Sequence, residues 1–518
     1  MEEMSGYPIG EQDFKSLREM NCIYVDKTRF IERIIASKNK YYFLARPRRF
    51  GKSLFLSTLK YFFEGERILF NGLDVDSLEW EWEKYPVLHI DFNSGEYSDP
   101  NNLDIVIDYL FSEWENEYGI EKIAADNTTR FRNIIEKIHE TTGQEVVILV
   151  DEYDKPLIKN LDKEEFDVYR EKLAALYSNF KSCAGHIKLV FLTGVSRFSK
   201  LSVFSGLNNL KDITFSNEFA DICGITEKDL SVYFRSGIKD LSDEYNITYE
   251  KACTKLKQNY DGYRFATNGS DIYNPWSILN CLADKKISFY WNETGFPSII
   301  AKALKRIDAN LEEIFDTYCS EKDLKGFDLL DPNPIALMYQ TGYLTIKEFD
   351  RDMNMYHLGI PNEEVRDGLV NVLLPYYAKF KSAADASKVR DMIKWIKLGK
   401  PDRFLESVQT YFAGVSYKLE IDNENNFHNA FFLVTSLIGL ETDAEVDTSD
   451  GRLDMTIKTP KFIYIIELKY DKSADEAHAQ INEKKYDRMY REDGRKVFKI
   501  GVNFSSKTRT IEDWRISE

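Results

Sequence analysis

The sequence predicts an α/β protein with a mostly parallel sheet in its N-terminal part, a helical middle region and a second, smaller α/β unit at the C-terminus. Three stretches predict it. Tyr41 to Ala45 is an apolar run, followed by a basic loop, Gly51-Lys52-Ser53 and then apolar residues at helical spacing. Glu145-Val-Val-Ile-Leu-Val-Asp151-Glu152 reads as a strand buried on both faces that ends in two acids. Phe462 to Lys469 is a third apolar strand, carrying Glu467 and Lys469, preceded by a strand carrying Asp454.

At 518 residues, 43% hydrophobic and 14% aromatic, the chain can bury real cores and should hold two to four domains. The boundaries expected are 1–225, 226–400 and 401–518. A net charge of −17 argues against a sequence-independent nucleic-acid coat protein but not against a local basic groove. The six cysteines are scattered, with no C-x-x-C pair, which argues against a zinc site or a disulfide framework. Met1 to Gly10 shows no signal pattern, and the longest apolar runs are too short to span a bilayer. A cytoplasmic protein with no membrane partner is expected.

The first stretch has the strand–loop–helix context of a P-loop. Loop and helix N–H groups would face an anion. Lys52 would reach the β- and γ-phosphates, and the Ser53 hydroxyl would ligate Mg²⁺. The first glycine of the usual pattern is replaced by Arg46, and Pro47 removes a donor. Alone, Gly-Lys-Ser is weak, arising by chance in roughly one chain in several of this length, often as a basic surface turn.

Along the chain, Ile23 to Val25 reads as a short strand and Arg29 to Ala36 as a helix. Pro86 to Phe92 is a strand, and Asn101 to Tyr118 and Thr129 to Thr141 are helices. The two acids at 151 and 152 then change the weight of the loop. Asp151 would hold the Mg²⁺ shell beside Ser53, and Glu152 would polarise the attacking water as general base. Residues 164 to 182 read as one amphipathic helix and His186 to Thr193 as the next buried strand. Thr193 at its tip suits a γ-phosphate sensor and Arg197 a charge stabiliser. A strand-end cap and a surface charge explain these two equally well. This alternation gives a parallel α/β domain with its ligand site at the carboxyl ends of the strands.

The middle region carries two aromatic, glycine-containing stretches, Tyr260-Asp-Gly-Tyr-Arg264-Phe265 and Met338 to Ile346. The first reads as a tightly packed turn, or as a lid sending Arg264 to the nucleotide. The second is compatible with a winged-helix-like module.

At the C-terminus, Phe427 to Leu440 is a helix and Glu441 to Asp450 is acid-rich. Arg452 to Ile457 and Phe462 to Lys469 are strands joined around Pro460-Lys461. A hairpin centred there sets Asp454 opposite Glu467, with their Cβ atoms roughly 5 Å apart. Proline fits a two-residue primed turn poorly, so a four-residue loop is expected. Lys469 shares the face of Glu467. Two carboxylates and a lysine suit metal-assisted phosphodiester hydrolysis, the acids binding Mg²⁺ and the lysine balancing charge. A cross-strand ion pair is the alternative, but charges ending an apolar strand need a reason. Downstream, a helix from Ser473 bears Gln480. Lys484, Lys485, Arg488, Arg491, Arg495 and Lys496 interleave with Tyr486 and Tyr490, as a strand-binding groove or a solvated basic helix.

Taken together, Arg46-Pro-Arg-Arg-Phe-Gly-Lys-Ser53, Leu149-Val-Asp-Glu-Tyr-Asp154, Thr193-Gly-Val-Ser-Arg-Phe198, Tyr260 to Phe265, Gly451-Arg-Leu-Asp454 and Ile466-Glu-Leu-Lys469 resemble the bacterial AAA-ATPase-like proteins with a C-terminal PD-(D/E)XK nuclease domain. The resemblance runs nearly end to end. It implies a P-loop NTPase fold followed by a nuclease-like α/β domain, and that Arg46 is the family's own form of the loop. It implies ATP and Mg²⁺ as cofactors, with Arg46, Arg49, Phe50, Gly51, Lys52, Ser53, Leu54, Asp151, Thr193 and Arg197 around the nucleotide. It implies Asp454, Glu467 and Lys469 as the nuclease triad, with Gln480 as helper. A further acid often lies on the first helix of such nucleases, where only Glu424 stands near. The expected partner is nucleic acid, DNA first, and an arginine acting in trans would require a homo-oligomer. Two readings follow: an ATPase that gates or drives a nuclease, or an ATP-dependent switch whose C-terminal domain binds nucleic acid or a partner without cutting.

Overall fold

The computed structural model describes residues 6–123, 125–160, 164–196, 210–291, 300–301, 303–304, 307, 309–325, 333–377, 391–413, 424–436, 441–448, 451–490, 492–508 and 510–518. The chain forms two compact units, Met1–Gly295 with Tyr318–Glu364, and Phe296–Thr317 with Val365–Glu518. The middle region read from the sequence is thus shared between them.

The first unit is built on a five-stranded parallel sheet of β1 (Tyr41–Ala45), β2 (Val87–Asp91), β3 (Val146–Asp151), β4 (Ile187–Gly194) and β5 (Lys211–Asp212). Their order is β2-β3-β4-β1-β5. Both β1 and β3 are buried at every position, which is why they read as unbroken apolar runs. The helices Lys52–Phe63, Pro100–Tyr118 and Asn127–Thr142 belong to the connections between these strands. Asp99 and Asp126 cap the latter two, accepting from the N–H groups of Asn101 and Thr129. Since β4 lies between β1 and β3, its tip falls between the two loops of interest, with Leu44 paired to Thr193 and Ala45 to Gly194.

Two readings change here. Ile23–Val25 joins no sheet among the described residues. The helix expected over 164 to 182 is interrupted at Ser178, giving Phe166–Tyr177 and Asn179–Ser182.

A helical cluster follows, Glu227–Tyr233, Arg235–Glu244, Tyr249–Tyr260 and Pro275–Asp284, beside the short pair β6 (Ile225–Thr226) and β7 (Ile272–Tyr273). Its core holds Leu230, Phe234, Ile238, Leu256 and Ile278. Next come β8 (Asp316–Cys319), helices Glu321–Lys325 and Pro334–Thr341, and the hairpin of β9 (Thr345–Asp350) and β10 (Met355–Gly359). The sheet order β8-β10-β9 and this chain order are those of a winged helix. Its second helix is buried from Ala336 to Thr341, so it packs inside the protein rather than facing solvent.

The second unit carries a five-stranded sheet in sequential order, β11 (Glu441–Thr448), β12 (Gly451–Lys458), β13 (Phe462–Tyr470), β14 (Lys496–Ser505) and β15 (Thr510–Ser517). Only β13 and β14 run parallel. The β12–β13 register, Met455↔Ile466 through Lys458↔Ile463, is the one read from the sequence. Their connection is tighter than the expected four-residue loop. Thr459 N–H donates to the Phe462 carbonyl at 2.8 Å, while Thr459 Oγ1 accepts from Phe462 N–H at 2.8 Å in place of the backbone carbonyl. That freed carbonyl accepts from Arg495 at 3.0 Å. Among the described residues, no helix is long and apolar enough to cross a membrane.

Candidate functional site

The loop between β1 and the helix Lys52–Phe63 turns at Gly51, the helix N-cap, whose φ of 95° is left-handed and strained for a residue with a Cβ. Residues 48–54 and Glu152 line a cavity of about 620 Å³, closed by an apolar wall that includes Tyr24, Ile225, Phe234, Trp276 and Leu279. Lys52 is buried and bends back, donating to the carbonyls of Arg46 (3.1 Å) and Pro47 (3.2 Å), with Glu152 Oε1 at 3.2 Å. These acceptors hold the ammonium where a phosphate would otherwise pair with it.

Glu152 has φ 50°, a strained conformation at the candidate general base. Asp151 and Thr193 do not line the cavity; Thr193 Oγ1 donates to Asp151 Oδ1 at 2.5 Å, joining the tips of β3 and β4. Arg197 lies outside the described residues. Arg46 is not turned toward the cavity. Its buried guanidinium donates to the carbonyls of Ala45, Thr214, Phe219 and Ala220, 2.8–3.4 Å away. A phosphate contact from that side chain is therefore replaced by an internal brace. Arg49 stacks on Trp276, 4.1 Å from the ring centre. Arg264 pairs with Asp271 and the Lys347 carbonyl, so it is part of a packed turn and no lid cation.

Asp154 was missed as more than a motif letter. Its Oδ2 accepts from Val195 N–H, Ser196 N–H and Ser196 Oγ at 2.6–3.0 Å, tying the turn after β3 to the segment after β4. Burial, then the Glu152 charge, push this carboxyl up to about 7. The signal available was its place two residues past the acid pair.

In the second unit, Leu468 N–H donates to Asp454 Oδ2 at 2.7 Å, which fixes that carboxylate across β12–β13. Glu467 is fully buried; Lys469 Nζ lies 3.0 Å from its Oε1, and among the described residues its Oε2 has no hydrogen-bond partner. Burial raises both acids, and for Glu467 the Asp454 charge adds to it. The Lys469 ammonium is raised as well, the two carboxylates outweighing its burial.

A family profile described as "Predicted AAA-ATPase" matches residues 8–204, and one described as "PD-(D/E)XK nuclease superfamily" matches residues 422–514. A relative from Azotobacter chroococcum mcd 1, named "Uncharacterized protein in vnfD 5'region", is 34% identical over 517 residues, covering 97% of each chain. This chain belongs to the AAA-ATPase-like proteins that carry a C-terminal PD-(D/E)XK nuclease domain.

The AAA-ATPase-like part has residue types that suit a nucleotide with its cation: a lysine held by replaceable acceptors, Ser53 at the cavity wall, and Asp151 at the tip of β3. The PD-(D/E)XK half offers fewer ligands. Among the described residues no group of three or more His, Cys, Asp or Glu has metal-holding geometry. Two carboxylates, one with an oxygen lacking a partner, nonetheless suit Mg²⁺, which keeps several waters and takes one or two protein acids. Glu424 opens the helix Glu424–Ser436 and, with His428 one turn on, acts electrostatically on Asp454; it also raises Lys469. His428 was not foreseen, since one histidine in an apolar helix carries no spacing signal. Gln480 bonds Tyr486, whose hydroxyl feels Glu467, Asp454 and Lys469. The aromatic half of the groove read downstream does not form among the described residues, while three of its basic residues are exposed. Tyr486 and Tyr490 are buried, Arg495 pairs with Asp493, and Lys496 pairs with Glu518. Arg491 lies outside the described residues; Lys484, Lys485 and Arg488 are exposed.

Proposed function

We propose that this protein binds and hydrolyses ATP with Mg²⁺ in its N-terminal domain, and that this gates or drives a Mg²⁺-dependent nuclease acting on DNA in its C-terminal domain. Lys52 exchanges its loop carbonyls and Glu152 for phosphate oxygens, which frees Glu152 to take a proton from the attacking water. Ser53 would ligate the cation and Asp151 would hold its shell, with Thr193 fixing the orientation of Asp151. At the second site, Asp454 and Glu467 hold the divalent ion, which supplies Lewis acidity toward the scissile phosphate. Lys469 orients the water and balances charge developing on the phosphoryl oxygens.

The observation that carries the nuclease reading is the half-satisfied, fully buried Glu467 beside Asp454 and Lys469. A structural ion pair has no use for the spare oxygen. The test is incubation of the purified protein with DNA, and in parallel RNA, with Mg²⁺ and with or without ATP. Cleavage that disappears in Asp454→Ala and Lys469→Ala supports the reading. Cleavage at the wild-type rate in both variants ends it, and ATP-dependent retention of nucleic acid with no cleavage favours the switch.

A further inference from the structure

The nucleotide loop lacks the glycine that normally opens it, yet two separate points of this loop rest on one side chain. At its start, the Arg46 guanidinium lies 4.2 Å from the centre of the Phe265 ring. At its end, Phe50, fully buried, meets the same ring edge-on at 5.3 Å and that of Tyr263 at 4.8 Å. Between them, Pro47 abuts Gly342: a Cβ on Gly342, whose φ is +89°, would sit 2.9 Å from the Pro47 side chain. The Tyr260–Phe265 stretch is in turn fixed from behind, since Arg264 N–H donates to Thr345 Oγ1 at 2.7 Å and the Asp261 carbonyl accepts from Asn362 at 2.7 Å.

We propose that Phe265 is a positioning residue for the nucleotide: it braces both ends of the loop from outside and so replaces the conformational role of the absent glycine. The physical logic is one of pre-organisation. A loop with glycine at its start folds round phosphate by its own freedom, whereas arginine and proline there restrict the backbone. The shape must then be imposed by packing. A cation–π face and an edge-to-face contact are each modest beside the stability of the folded chain. That is enough for the ring to set loop geometry without deciding whether the protein folds. It also gives the Tyr260–Phe265 motif a role that Arg264, turned toward Asp271, does not supply.

The proposal rests on the nucleotide reading of the cavity, so its test separates the two. Phe265→Leu keeps an apolar side chain and deletes the ring. Mg²⁺-ATP affinity by calorimetry, hydrogen exchange of residues 46–53 without nucleotide, and the melting temperature are measured together. The expected result is a tenfold or greater loss of affinity and faster exchange of the loop, with exchange of β3 and the melting temperature little changed. A merely structural role would lower the melting temperature and leave the affinity of the folded protein alone. Phe50→Leu reads the same contact from the loop side and serves if Phe265→Leu does not fold. Wild-type affinity and wild-type loop exchange in the folded variants overturn the proposal. A wild type that binds no nucleotide, but whose loop exchange still rises in Phe265→Leu, overturns the nucleotide reading and leaves the bracing of the loop standing.

Discussion

Lys469 and Glu467, two residues apart on β13, share a contact that uses only half of the carboxylate: Nζ is 3.0 Å from Oε1, and the buried Oε2 meets no donor among the described residues. A buried polar atom without a partner costs about 1–3 kcal/mol, so a ligand that satisfies it is stabilising. Mg²⁺ or Mn²⁺ should therefore raise the melting temperature of the wild type. The shift should vanish in Glu467→Ala and shrink in Asp454→Asn, as read by calorimetry. An equal shift in Glu467→Ala would place the cation elsewhere.

At the nucleotide site, Lys52 now pairs with Glu152 and two loop carbonyls. Lys52→Ala removes the phosphate anchor and should weaken ATP binding by about 100-fold or more. Glu152→Gln removes the base but leaves the anchor, so binding should persist while turnover falls by at least about 100-fold. Calorimetry and phosphate release distinguish the two. Undiminished binding in Lys52→Ala would mean that another group anchors the phosphates.

Restoring the usual glycine should harm this protein. The Arg46 guanidinium donates to four buried carbonyls, of which that of Phe219 also accepts from Ile222 N–H, so Arg46→Gly leaves the other three without this donor and removes the Phe265 contact. Losing hydrogen bonds from a charged donor to buried neutral carbonyls costs about 1.5–3 kcal/mol apiece. Urea unfolding should show a loss of that size. A variant as stable as the wild type would mean that water replaces the guanidinium.

Both strand–acid units could be read in the sequence because each pairs a fully buried apolar run with charges at its end, as at Val150-Asp151-Glu152 and Ile466-Glu467. The β12–β13 register followed from one loop centre, since period two leaves no freedom once the faces are set. β11 was illegible for the opposite reason. Its Glu-Thr-Asp-Ala-Glu-Val-Asp-Thr run has low strand propensity, and the pairing with β12 at the sheet edge decides it. Tyr486 and Tyr490 misled because aromatic residues among lysines look alike whether they stack on bases or fill a core. The Arg46 brace depends on Thr214, Phe219 and Ala220, about 170 residues away in sequence, which no local pattern reveals.

Glu364 offers a stability test independent of both sites. It is fully buried; Oε1 accepts from the N–H groups of Tyr290 (2.6 Å) and Trp291 (3.0 Å), and Oε2 accepts from Ser277 Oγ (2.6 Å). Burial outweighs these three donors and raises the carboxyl from 4.5 to about 7. Between those values the folded protein keeps a proton that the unfolded chain has released. The folded state then binds more protons, so this contribution to stability is complete below pH 4.5 and is lost as pH rises through about 7. Glu364→Gln is neutral throughout and escapes the loss. Its stability relative to wild type should rise by on the order of 2 kcal/mol between about pH 5 and about pH 8 in urea titrations. A difference that stays flat with pH would show that the three donors fully compensate the buried charge.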